Sequence, residues 1–267
     1  MKKISVIVFA LLVGFLPAMC QAQEKAETKE DTGGADDQPK VDRSKNVIFG
    51  GKEAGKGKAV RLFILSGQSN MAALDHKLTF IPAIEKAFPE DELIFVKDAQ
   101  SGQPIRRWAA NWKPAGDWQG KNNRDKPGNN DIYKRLMESV KATIKDKKID
   151  TMSFAWMQGE ADAKSGQSSN YEEALKGLIK QLRDDLGRQD LTAVIGRISD
   201  HMNGDKDWDA VRLAQVKVAE DDPLVEWVDS DEFNGTLNGL HCDGKGYMEL
   251  GKQFAEKLIG LLNNQKK

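Results

Sequence analysis

What most narrows the folds open to this chain is the order of its apolar runs from residue 60 onward. Short runs rich in β-branched and apolar residues alternate with stretches whose apolar residues recur at helical spacing. Val60 to Leu65, Glu92 to Val96, Asp150 to Met157, Leu191 to Ile198 and Leu224 to Val228 read as strands. Between them Ile132, Leu136, Val140 and Ile144 lie on one helical face, and Ala174, Leu175, Leu178 and Leu182 form a second that ends near Gly187. Asn170 with Glu173 has the pattern of a capping box that opens this second helix. Trp208 to Ala219 predicts another helix, and Gly244 to about Leu262 a last one with Tyr247, Leu250, Phe254 and Leu258 inward. Strands alternating with helices call for right-handed crossovers, hence a parallel sheet covered by helices on both faces. The expected class is α/β, a three-layer α/β/α sandwich, and no internal repeat competes with it.

The N-terminal part reads as something other than fold. Lys2 and Lys3 precede an apolar run from Ile4 to Leu16, and small residues follow in PAMCQAQ. That is the layout of a secretory signal peptide, residues 1–22, with cleavage after Ala22. The run is shorter than the roughly 20 residues of a spanning helix, so no stable membrane insertion is expected once it is removed. Pro17, Ala18 and Met19 make a poor lipobox for Cys20. Export to the periplasm or the exterior is therefore expected in preference to lipid anchoring. Residues 23–45 hold almost nothing apolar and predict a disordered spacer. Residues 46–267 remain as one domain with room for a sizeable core.

Charge excludes several partners. The 40 basic and 41 acidic residues are well mixed, for a net charge of -1, and no basic stripe points to nucleic acid. His76, His201 and His241 are scattered, without cysteine or HExxH spacing, so neither a metal nor another cofactor is expected. His76 reads as surface and His201 as a loop residue. Cys242 stands alone after signal cleavage, and as a small packed side chain rather than a thiol nucleophile.

Four polar clusters fall where the predicted strands end. SGQSNM follows the first strand, AQSGQPIRRW the second and WMQGEADA closes the third, while NGLHCDGKGY precedes the last helix. In a parallel sheet these positions share the carboxyl edge, where sites gather. A serine hydroxyl at neutral pH needs a base within hydrogen-bond reach. Ser69 is the candidate nucleophile and His241 the base that would take its proton and return it to a leaving alcohol. An attacked ester carbonyl becomes an oxyanion that needs donors already aimed at it. The backbone N–H of Ser69, the backbone of Gly102 and the side-chain amide of Gln158 are the candidates. Arg106, Arg107 and Trp108 are candidate substrate contacts. Each cluster alone also reads as a turn or a helix cap, and Trp108, Trp112 and Trp118 as packing.

Together GQSNM, SGQPI with its tryptophan, QGEAD and GLHCDGKGY resemble the SGNH hydrolases, more narrowly the sialate O-acetylesterase-like group that includes carbohydrate esterase family 6. VRLAQ and IGRIS are similar to that group as well, and the likeness spans roughly residues 58–262. The resemblance implies a flavodoxin-like sandwich and deacetylation of a carbohydrate ester by a serine mechanism without a metal. It matches Ser69 to the nucleophile, His241 to the base, and Gly102 and Gln158 to the oxyanion hole. The family usually carries an aspartate where this chain has Asn238, three residues before the histidine. An amide can hold the ring's tautomer but not stabilise an imidazolium by charge. Glu160 of QGE is the favoured source of that charge, Asp243 is another, and a weak or inactive enzyme is the third outcome. The expected function is thus an exported carbohydrate O-acetylesterase acting on an acetylated sugar. The rivals are a carbohydrate-binding relative and a general short-chain carboxylesterase.

Overall fold

The computed structural model describes residues 47–49, 58–118, 120 and 126–265. The expected signal peptide, Cys20 and the spacer lie outside these residues. In chain order come β1 (Val47–Phe49), β2 (Val60–Gly67), α1 (Ser69–Ala73), α2 (Phe80–Ala87), β3 (Glu92–Ala99) and α3 (Asp131–Ile144). Then follow β4 (Thr151–Met157), α4 (Glu160–Lys164), α5 (Tyr171–Leu186), β5 (Thr192–Gly196), α6 (Lys206–Glu220), β6 (Val225–Val228) and α7 (Gly244–Asn264).

One sheet runs in the order β1-β3-β2-β4-β5-β6. Strands β2 to β6 are parallel, and helices cover both faces, as the alternation predicts. One departure is β1, which pairs antiparallel with β3 at the edge, Val47 opposite Val96. The chain leaves β2 first to one side, for β3, and then to the other, for β4. That reversal opens a crevice beyond the carboxyl end of β2, the usual ligand position in such sheets.

Side-chain alternation along each strand divides the interior into two cores. Leu62 and Ile64 of β2, Ile94 and Val96 of β3, and Phe154 and Trp156 of β4 pack under α3, α5 and α6. Phe63, Leu65, Phe95, Ala155 and Met157 pack on the other face against α1, α2 and α7. Phe63 stacks on Phe95 at 5.3 Å and Phe80 meets both edge-on. Strands buried on both faces need near-continuous apolar sequence, which is why LFIL and LIFV are legible as strands.

Local chemistry departs from expectation in three places. β2 continues two residues past Leu65, so Ser66 lies within the strand. Asn170 does stand at the N-cap of α5, but its side chain donates to the Lys113 carbonyl at 3.0 Å and makes no cap bond. His76 is not on the surface: it is 5% exposed, and neither ring nitrogen has a hydrogen-bond partner among the described residues. Burial and the nearby Lys97 lower its pKa to about 4. Among the described residues no helix is long and apolar enough to cross a membrane.

Candidate active site

The crevice is built from the strand ends. At Gly67 φ is +149°, and a Cβ would sit 2.0 Å from the Met157 carbonyl oxygen, so only glycine lets β2 and β4 end side by side. Gln68 N–H then donates to that same carbonyl at 2.9 Å. The chain turns at once into α1, whose first residue is Ser69. Ser69 is half-buried, with its hydroxyl facing the crevice's other wall.

That wall is the loop before α7. Asp243 caps the helix by accepting from Gly246 N–H at 2.7 Å, and its own N–H donates to the Phe233 carbonyl. The loop so anchored brings His241 Nε2 to 3.0 Å from Ser69 Oγ. Two residues 172 positions apart in sequence therefore meet at hydrogen-bond distance. His241 is exposed, so the pair lies open to solvent.

Asn70, next to the serine, is 3% exposed and joins the two walls. Its amide nitrogen donates to Glu160 Oε1 at 2.8 Å and to the Leu240 carbonyl at 3.4 Å. Its oxygen accepts from Cys242 N–H at 3.1 Å and from the Tyr247 hydroxyl at 3.2 Å. Burial drives the Cys242 thiol up to about 12, which keeps it a neutral packed side chain as expected.

The carboxyl end of β4 behaves differently. Gln158 is fully buried, and its Nε2 faces Asp162 Oδ2 at 2.6 Å and the oxygens of Gln68 and Gln103 at 3.2 Å. Two amide hydrogens facing three acceptors leave none for an oxyanion. Gln158, expected in the oxyanion hole, thus has its amide hydrogens turned to acceptors of the protein itself. Its Oε1 accepts from the Tyr171 hydroxyl at 3.1 Å, and its backbone carbonyl accepts from Gln215 Nε2 at 2.7 Å. Asp162 also accepts from Ile105 N–H at 2.8 Å, tying the loop after β3 to this end of β4. Burial raises Asp162 to about 6, and raises Glu160 as well.

Glu160 does not hydrogen-bond the His241 ring. Oε1 is taken by Asn70, and Oε2 is buried with no hydrogen-bond partner among the described residues. Asn238 does not reach the ring either. It stands in the left-handed region at φ +47°, which asparagine tolerates. Its side chain accepts from Asn234 Nδ2 and donates to the Asp200 carbonyl, while its backbone carbonyl contacts His201 Nδ1 at 2.7 Å. Asp243 is engaged as the α7 cap.

The expected substrate contacts divide. Arg107 is buried in a bidentate pair with Asp131 and also donates to Gln103, so its guanidinium holds the loop onto α3. Trp108 is 0% exposed, packed edge-on against Trp156 and bonded through Nε1 to Ser66 Oγ. Neither faces the crevice, because each is consumed in fastening the loop. Arg106 is half-buried, with its guanidinium 4.8 Å from the Trp118 ring centre and 5.5 Å from that of Trp112. Gly102 sits in an exposed turn at φ +68°. Sequence reasoning missed Asn70, Asp162, Tyr247 and Gln215. The first two were visible inside GQSNM and QGEAD, but nothing in a linear motif says which neighbour a polar side chain will face.

Solved structures of similar fold include a protein from Arabidopsis thaliana, 20% identical, with a TM-score of 0.58 over 75% of this chain and 98% of that one. A carbohydrate acetylesterase from Xanthomonas citri aligns at 15% identity and a TM-score of 0.55, covering 73% of this chain and 54% of that one. NanS aligns at 11% identity and 0.53, covering 78% and 98%. No curated protein matches. The profile of one family, described as carbohydrate esterase, sialic acid-specific acetylesterase, matches residues 73–260, a span that takes in Gln158, Glu160 and His241 and begins after Ser69. The chain thus belongs to the sialic acid-specific acetylesterase family of carbohydrate esterases.

Proposed function

We propose that the chain is an exported O-acetylesterase that removes acetyl groups from sugars, with Ser69 as nucleophile and His241 as general base. The observation that carries the reading is the 3.0 Å contact between Ser69 Oγ and His241 Nε2 at the switch point of the sheet. As Ser69 attacks the acetyl carbonyl, its proton passes to His241 and the carbonyl oxygen gains the charge. The backbone N–H groups of Ser69 and Gly102 are the proposed donors to that oxygen. Collapse of the tetrahedral intermediate expels the sugar alcohol, which takes the proton from His241. Water, deprotonated by His241, then attacks the acetyl-serine ester, and acetate leaves as Ser69 regains its proton. Arg106, the half-buried residue of the three expected substrate contacts, is the proposed sugar-facing side chain.

Export rests on the basic start, the apolar run and the small residues that follow, with cleavage after Ala22 and residues 23–45 as a spacer before the esterase domain. The acetylated sugar as substrate class is taken from the family. Acetate release from p-nitrophenyl acetate, O-acetylated sialic acid and acetylated xylan, measured for wild type beside Ser69→Ala, tests the reading. Loss of release in the variant supports it, and undiminished release overturns the mechanism.

A further inference from the structure

Beyond the nucleophile and base, the crevice contains one side chain whose polar capacity is completely used and whose partners surround His241. An asparagine amide offers two N–H donors and two acceptor sites on its oxygen. Those of Asn70 face Glu160 Oε1, the Leu240 carbonyl, the Cys242 N–H and the Tyr247 hydroxyl. The backbone groups among them admit one orientation only. Nδ2 must lie toward the Leu240 carbonyl and Oδ1 toward the Cys242 N–H.

Leu240 and Cys242 flank His241 in the chain, and Asn70 follows Ser69. The residue beside the nucleophile therefore grips the backbone on both sides of the base. His241 itself is exposed, so where its backbone is held bears on where its ring lies. Among the described residues the backbone on both sides of it is tied to α1 by the Asn70 amide. Glu160 holds the amide from α4, and Tyr247 holds it from α7.

We propose that Asn70 is a positioning residue that sets the Ser69–His241 distance by clamping residues 240 and 242 to α1, and that Glu160 serves as the anchor of this clamp. The inference rests on the serine-esterase reading above. It assigns Glu160 an acceptor's task, which needs an oxygen facing Asn70 and not a charge facing the ring.

The test measures kcat and KM on p-nitrophenyl acetate from pH 5 to 8 for variants whose melting curves show them folded. Asn70→Ala lowers kcat by about a hundredfold, the scale of a misplaced reacting group, while KM changes much less. Asn70→Asp places a carboxylate against the Glu160 carboxylate and the Leu240 carbonyl. Its activity relative to wild type rises as pH falls, because the protonated acid regains a donor toward Glu160. A simple packing defect would give a ratio independent of pH.

Glu160→Gln keeps an acceptor for Asn70 and loses no more than about fivefold, whereas Glu160→Ala loses as much as Asn70→Ala. A loss near ten-thousandfold in Glu160→Gln, the scale seen when a triad acid becomes an amide, would overturn the inference and make Glu160 the ring's acid. Full kcat in Asn70→Ala would also overturn it. With Ser69→Ala inactive in the same assay, either result leaves the serine mechanism standing, so the two readings fail separately. Should Asn70→Ala not fold, Asn70→Asp and the Glu160 pair carry the decision.

Discussion

The ends of β2 and β4 lie side by side in the sheet and carry similar polar residues, yet they are put to opposite uses. Beyond Gly67 the chain offers a half-exposed serine to an exposed histidine. Beyond Met157 it buries Gln158, Glu160 and Asp162 at 0–2% exposure and bonds them to Gln68, Gln103, Ile105 and Asn70. One end leaves its polar side chains open, and the other has them buried and bonded. A polar motif at the carboxyl edge of a parallel sheet is thus not yet a set of catalytic groups, because burial decides whether its hydrogen bonds are available or already made.

That contrast can be broken at several points. The largest effect is expected at the open end, where Ser69→Ala should lower acetyl-ester turnover by about a thousandfold or more with an unchanged melting temperature. Retained turnover would remove the distinction between the two strand ends.

At the buried end the expected loss is in stability. Gln158→Ala strands groups on Gln68, Gln103, Asp162 and Tyr171, and should cost about 2–4 kcal/mol in urea unfolding. The protein that remains folded should keep kcat within about tenfold, against the 10²–10³ expected of a lost oxyanion donor. A stable, inactive Gln158→Ala would move the glutamine back into the hole.

Asp162 and His76 sharpen the comparison through pH, with opposite signs. The folded-state pKa of Asp162 is raised from 3.8 to about 6, chiefly by burial. The folded chain then holds this proton more tightly than the unfolded one. The stabilisation is full below pH ~4 and is lost as pH rises through about 6, up to roughly 3 kcal/mol. Asp162→Asn should flatten the decline in Tm across that window, and a profile parallel to wild type would mean that the carboxyl is ionised in the folded chain. For His76 the folded pKa is lowered from 6.5 to about 4, again first by burial. Its contribution is present above 6.5 and disappears as pH falls through about 4, so His76→Leu should make the protein more tolerant of acid. Melting curves of that variant between pH 4 and 7 decide it.

The smallest effect is expected of Asn238→Asp. Its side chain lies against Asn234 and the Asp200 carbonyl, so restoring the family's usual acid should leave turnover where it was. A large gain would show that the loop can swing residue 238 onto the ring.

Much of the fold was legible in the sequence. LFIL and LIFV have the apolar continuity of strands buried on both faces, and the helices with wide apolar stripes at residues 131–144, 171–186 and 244–264 were found for the same reason. The short α1, α2 and α4 were not, since helices of five to eight residues carry too little periodicity to register. The edge strand β1 was missed because three residues make no pattern and its antiparallel pairing comes from β3.

The sequence by itself determined the order of strands and helices, the polar clusters at their ends and the pairing of a serine with a distant histidine as the chemistry to look for. These follow from local periodicity and residue type. Only the tertiary structure decided which polar groups remain available. It turned Gln158, Arg107 and Trp108 inward, set Asn238 in a turn and directed Glu160 onto Asn70. The physical reason is that a hydrogen bond joins residues that the fold brings together. Glu160 and Asn70 are 90 positions apart, and no linear spacing encodes that contact.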